Sequence, residues 1–91
     1  MTLLTLLTAT DTQLALAQTI RRKRKQLKLS RQVLAERSTV PAATIKKFET
    51  SGQISLRQFL LLWQCVDRLD KVMALTQEPA ATPRTIAEVL R

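Results

Sequence analysis

A chain with a single glycine, Gly52, has few ways to make the tight turns of an all-β fold. Three prolines (Pro41, Pro79 and Pro83) add little, so the composition favours helices joined by short polar turns. At 91 residues the chain makes one domain with one modest core. Apolar side chains are plentiful, yet Phe48, Phe59 and Trp63 are the only aromatics.

The helical pattern can be followed from residue to residue. Thr10, with Gln13 three positions on, reads as the capping box of a first helix over about Asp11 to Gln26. Leu14, Ala17, Ile20, Arg21 and Arg24 follow it at three- and four-residue steps, and Leu27 and Leu29 are expected to turn back into the core. Ser30 caps a short second helix, about Arg31 to Arg37. Ser38-Thr39-Val40-Pro41 breaks the period, and Pro41 suits the first turn of a third helix that reaches about Thr50, with Ala42 or Ala43, Ile45 and Phe48 inward. Thr50 to Gln53 reads as a loop stopped by Gly52. Ser55 opens a fourth helix, roughly Leu56 to Asp67, and Leu69 to Leu75 a fifth. The aromatics belong to the core, on a helical spacing with Ile45, Leu56, Leu60 and Val66. Residues 1–9 form an apolar extension, 10–76 the domain, and 77–91 a linker with a short helical tail.

Charge is concentrated in one part of this pattern. Eleven of the fifteen Lys and Arg residues lie between Arg21 and Arg57, where Glu36 and Glu49 are the only acids. That stretch carries a net +9 and the two flanks together −1. A local basic footprint attracts a polyanion, nucleic acid before an acidic membrane surface. A membrane-surface helix fits poorly, because the charges of the first helix surround too much of its circumference. Met1–Ala9 is too short for a span and lacks the flanks of a signal peptide. With no histidine and one cysteine, Cys65, neither a Cys/His zinc site nor a disulfide framework is expected. No cluster of nucleophile, base and orienting group points to an enzyme, and no cofactor is expected.

Two short helices separated by a three- or four-residue break describe a helix-turn-helix. Such a unit needs a small residue in its first helix, which Ala35 supplies, and an inward apolar residue in its turn, which Val40 supplies. LSRQVLAERS followed by VPAATIKKFE, then ISLRQFLLL, resembles the helix-turn-helix domain of the phage Cro/repressor (Xre) family over about Leu14 to Leu75. The resemblance implies an all-α, lambda-repressor-like bundle of about five helices that binds double-stranded DNA at a palindromic operator. It implies base reading by Arg31, Ala42, Ala43, Thr44 and Lys47, with Arg31 able to clamp a phosphate instead. Phosphate contacts are implied for Gln32, Thr39, Lys46, Ser51, Gln53 and Arg22, with longer-range attraction from Arg22 and Lys25. Lys46 and Lys47 lie about 100° apart around a helix, so only one of them faces the groove squarely. It further implies that Arg24 pairs with Glu49 as a structural tie. Two positions depart from the pattern: Thr39 and Lys28 stand where the family often has glycine. If either needs positive φ, strain of about 1 kcal/mol follows.

One recognition helix reads only a few base pairs, so a homodimer on two half-sites is expected. The apolar surplus for it is Leu61, Leu62 and Cys65 on the fourth helix, with Leu3, Leu4, Leu6 and Leu7 in the extension, as strand or helical turn. Cys65 is expected to act as a small hydrophobe. The FETSGQISLRQFLLL stretch and the PRTIAEVLR tail are most similar to HipB-type antitoxins, regulators encoded beside HipA-type kinase toxins. The resemblance then implies autorepression, a HipA-like kinase partner and a cytoplasmic, nucleoid-associated bacterial protein. The alternatives are a stand-alone phage-type repressor and, in another class, a protein-interaction adaptor that does not read DNA.

Overall fold

Thr8, in extended conformation, opens the first helix of the computed structural model, which describes residues 6–77. Five α-helices follow in order: α1 (Ala9–Gln26), α2 (Arg31–Ser38), α3 (Ala42–Ser51), α4 (Leu56–Val66) and α5 (Leu69–Met73), with a final 3₁₀ turn over Ala74–Thr76. Among the described residues there is no strand, and the fold is an all-α bundle.

The cap of α1 is not the Thr10–Gln13 pair that the spacing predicts. Thr8 Oγ1 accepts from the Asp11 amide at 3.0 Å, and the Asp11 carboxylate accepts from the Thr8 amide at 3.2 Å. A carboxylate also suits the positive end of the helix dipole better than an amide. Gln13 is released for another task. Its Nε2 donates to the Gly52 carbonyl at 3.2 Å and ties α1 to the end of α3.

Gly52 is required there twice over. Its φ of +79° lies in the left-handed region, and a Cβ would stand 3.0 Å from Gln13 Cβ and 3.1 Å from the Gln13 carbonyl carbon. The helix it stops reaches Ser51, so Thr50 and Ser51 are helical and not part of a loop. Lys28 (φ 60°) and Thr39 (φ 66°) are the two non-glycine residues with positive φ among those described. Both departures from the family pattern therefore carry backbone strain, one on each side of α2.

The core joins Ala17 and Ile20 of α1, Leu34 of α2, Val40 of the turn, Ile45 and Phe48 of α3, and Phe59, Leu62 and Trp63 of α4. Phe59 packs edge-on to Phe48, with ring centroids 6.1 Å apart, and stacks at a tilt on Trp63. The Trp63 indole N–H donates to the Arg68 carbonyl at 2.8 Å, which satisfies its one polar atom. Two expected core positions fail: Leu27 and Leu56 are exposed, Leu56 to 73%. Leu60 and Val66 are half-buried and pack against the core. Leu56 sits at the margin of the Phe59–Leu62–Trp63 stripe, on the side that faces the start of α5 across a groove.

Candidate nucleic-acid interface

The side chains that position α2 and α3 also define the surface around them. Ser30 Oγ accepts from the Val33 amide at 3.0 Å and starts α2. At the far end, Ser38 Oγ accepts from the Val40 amide at 3.1 Å, and Thr39 Oγ1 donates to the Ser38 carbonyl. Val40 is fully buried, so the chain re-enters α3 at a fixed angle, with Pro41 in the capping position.

The Arg24–Glu49 tie is present and bidentate. Arg24 Nε and Nη2 donate to the two Glu49 oxygens at 2.8 and 3.1 Å, and Nη1 donates to the Leu29 carbonyl at 2.8 Å. A third participant is not legible in the sequence. Arg31 Nε donates to Glu49 Oε1 at 2.9 Å. The Glu49 side chain is fully buried and that of Arg24 nearly so. Burial pushes the Glu49 carboxyl up, but hydrogen bonds and charge from Arg24 and Arg31 outweigh it and hold the group below its ordinary range. One carboxylate facing two guanidinium groups leaves this triad with one net positive charge.

On α3, Ile45, Phe48 and Glu49 face inward, whereas Ala43, Lys46, Lys47 and Thr50 face outward as an exposed ridge. Ala42 and Thr44 are half-buried beside it. A recess lies along each flank. Ala43, Thr44 and Lys47 share one with Gln53, Ile54 and Gln58, a volume of about 410 Å³. Arg22 and Arg31 share the other, about 790 Å³, with Gln18, Arg21, Lys25, Gln26, Glu49 and Thr50. Most of the expected contact residues thus gather around α3, but Arg31 is held by Glu49 and not on the ridge. Gln32 and Thr39 are exposed on α2 and in the turn. The Ser51 hydroxyl is committed locally, donating to the Lys47 carbonyl at 2.7 Å and accepting from the Gln53 amide at 3.1 Å.

Gln18 and Arg21, both exposed, and Gln58, half-buried, also line these recesses and have no role in the expected contact set. The signal for the first two was available: Gln18, Arg21, Arg22 and Lys25 recur at helical spacing along one stripe of α1.

The expected dimer residues separate. Leu62 is fully buried in the core, on the same stripe as Phe59 and Trp63, and is not available to a partner. Leu61 and Cys65 are half-buried and pack against that core. Burial raises the Cys65 thiol above its ordinary range, which disfavours the reactive thiolate. Leu6 and Leu7 are exposed, and Leu3 and Leu4 lie outside the described residues. The larger apolar surplus is elsewhere: Leu56, Leu60, Leu69, Val72 and Met73 line a groove of about 550 Å³ between α4 and α5.

No described helix is long and apolar enough to cross a membrane. Comparison with protein-family models, curated proteins and solved structures returns no match to this chain.

Proposed function

We propose that this chain is a helix-turn-helix DNA-binding protein of the lambda-repressor-like kind, in which α2, the Thr39–Pro41 turn and α3 form the motif and α3 enters the major groove. The observation that carries the reading is the exposed, lysine-bearing ridge of α3, flanked on both sides by polar or basic recesses. A helix about 10–12 Å across fills a major groove about 12 Å wide, so its flanks meet the two phosphate strands while its ridge meets base edges. On this reading Lys47 bonds guanine O6 or N7, and Ala43 and Thr44 lie against thymine methyls or neighbouring edges. Gln53 meets one strand and Arg22 and Arg31 the other. Arg24 and Glu49 set the angle of α3.

A single α3 spans only a few base pairs, so the protein acts as a homodimer on a palindromic operator and represses transcription by occupying it. The pairing face is the groove of Leu56, Leu60, Leu69, Val72 and Met73, with a second copy as its occupant. Leu56 and Met73 are 73% and 58% exposed, an apolar surface that a lone chain leaves in water. The similarity to HipB-type antitoxins extends the proposal to autorepression of an operon that also encodes a HipA-like kinase.

Fluorescence anisotropy on random duplex DNA tests the reading. Affinity should fall steeply with salt, with a log–log slope near −0.9 for each phosphate contacted. Negligible binding at low salt would refute it. Thr44→Ala with Lys47→Ala should weaken binding to a selected operator while leaving the helical signal unchanged.

A further inference from the structure

The groove between α4 and α5 is a concavity of about 550 Å³, lined by Leu56, Leu60, Leu69, Val72 and Met73. A two-fold pair places the same surface on both subunits. Groove on groove then sets one concavity against another, and the lining side chains forfeit the contacts that a filled space would give them. Filling it takes a convex apolar element from another part of the second copy. Among the described residues outside the groove, Leu6 and Leu7 are the only adjacent pair of exposed large apolar side chains, and residues 1–7 carry no charged side chain.

The other end of the chain fits the groove better. Thr76 stands in the lining, and Gln77 leaves it in extended conformation. In the sequence that follows, Ile86, Val89 and Leu90 keep the spacing of one helical face, with Arg84 before them and Arg91 after. The groove's one charged lining residue, Asp70, is opposite in sign. Its bond to Arg68 joins two exposed side chains and is weak enough to share. Pro79 and Pro83 fix their own φ and bias Glu78 and Thr82 to extended backbone. A link over 78–84 with that bias reaches about 20 Å and resists the reversal that a return to its own groove demands.

Resting on the homodimer reading, we infer that residues 85–91 of each copy fill the groove of the other, a reciprocal exchange of C-terminal segments. Ile86, Val89 and Leu90 are the apolar anchors, and Asp70 meets a flanking arginine. The interface then joins two unlike surfaces, a segment and a groove, so that a defect in one chain can be complemented by the other.

The test is sedimentation equilibrium on the full chain, with the circular dichroism of each variant read beside it. I86E/L90E and L69E/M73E should each weaken pairing by at least about 100-fold while keeping the helical signal of the wild type. Should L69E/M73E lose that signal, M73E alone takes its place. An equimolar mixture of the two variants should give a heterodimer, because the intact segment of the groove variant enters the intact groove of the segment variant. A dimer of wild-type affinity in I86E/L90E would overturn the exchange and leave pairing through the groove standing. If L6E/L7E were then monomeric, the groove would belong to the N-terminal leucines. Two monomeric variants with intact helical signals, whose mixture stays monomeric, would also overturn the exchange and seat the segment in its own chain's groove. A wild type that is monomeric at every concentration would remove the inference and the homodimer reading together.

Discussion

Replacing Glu49 with alanine should cost this protein about 3–5 kcal/mol, the usual effect of removing one partner from a buried ion pair. The structure places Glu49 at the upper end of that effect. Its side chain is fully buried, and it accepts three charge-assisted hydrogen bonds, two from Arg24 and one from Arg31. Arg31 is 36% exposed and can return its charge to water, so the larger penalty falls on Arg24. Arg24 is left with the Leu29 carbonyl as its only partner. Domains of this size are stable by about 5–15 kcal/mol, so a substantial share of the total is at stake. Urea denaturation read by far-UV circular dichroism and by Trp63 fluorescence should show a lower midpoint with an unchanged slope. The double replacement Arg24→Met with Glu49→Leu should recover most of the loss, because it leaves no buried charge unpaired. A Glu49→Ala unfolding free energy within about 1 kcal/mol of wild type would refute the reasoning, as a loss of that size belongs to surface ion pairs. The pH dependence has a definite sign. The folded carboxyl is held below its ordinary range, so its contribution is complete above that range and is lost as pH falls through the lowered value. Glu49→Gln should remove this part of the acid limb.

Asp67, held low by Lys23 at 2.7 Å, the Arg68 amide and Lys71 at 3.1 Å, should supply the acid limb that remains in Glu49→Gln; Asp67→Asn should flatten it. Gly52→Ala should destabilise by roughly 2–4 kcal/mol, because a left-handed alanine is strained and its Cβ meets the backbone of Gln13, which cannot rotate away; thermal denaturation measures it. Thr39→Gly should stabilise by about 0.5–1 kcal/mol, the relief of left-handed strain less the extra freedom of an unfolded glycine, and a lower melting midpoint would count against it. Leu69→Glu with Met73→Glu should give a monomer in sedimentation equilibrium, and a dimer that persists would exclude the groove as the pairing face.

The helices and their order were legible because capping residues and helical spacing are local signals. Ser30, Ser55 and Gly52 mark their ends, and Ala17, Ile20, Leu34, Ile45 and Phe48 keep the period that the core then uses. The α1 cap was misread because two threonines, Thr8 and Thr10, each have a capping partner three residues on. Only the path of the chain decides between Asp11 and Gln13. Leu62 was misread because five consecutive apolar residues, Phe59 to Trp63, carry no polar mark to orient α4. The exposed apolar edge of α4 is at Leu56, on the groove between α4 and α5, and the position of α5 is not written in the α4 sequence. The Arg31–Glu49 bond spans 18 positions and depends on how α2 crosses α3, which no spacing within either helix encodes.

The strain at Lys28 and Thr39 bears on why α2 holds its place. Positive φ at a non-glycine residue persists only where surrounding contacts over-determine the backbone. Here α2 lies between two such residues, and its ties account for their survival: Leu34 fully buried in the core, Ser38 Oγ on the Val40 amide, and Arg31 on Glu49. Each tie reaches a different element, respectively the core, the turn and α3. Rotating α2 would break all of them together. A helix pair fixed in this way loses little further freedom on docking to a rigid partner, so more of the contact energy is left as affinity. The same ties make α2 a poor hinge. On the DNA-binding proposal, regulation of affinity would act through the pairing of two copies and not through the angle between α2 and α3.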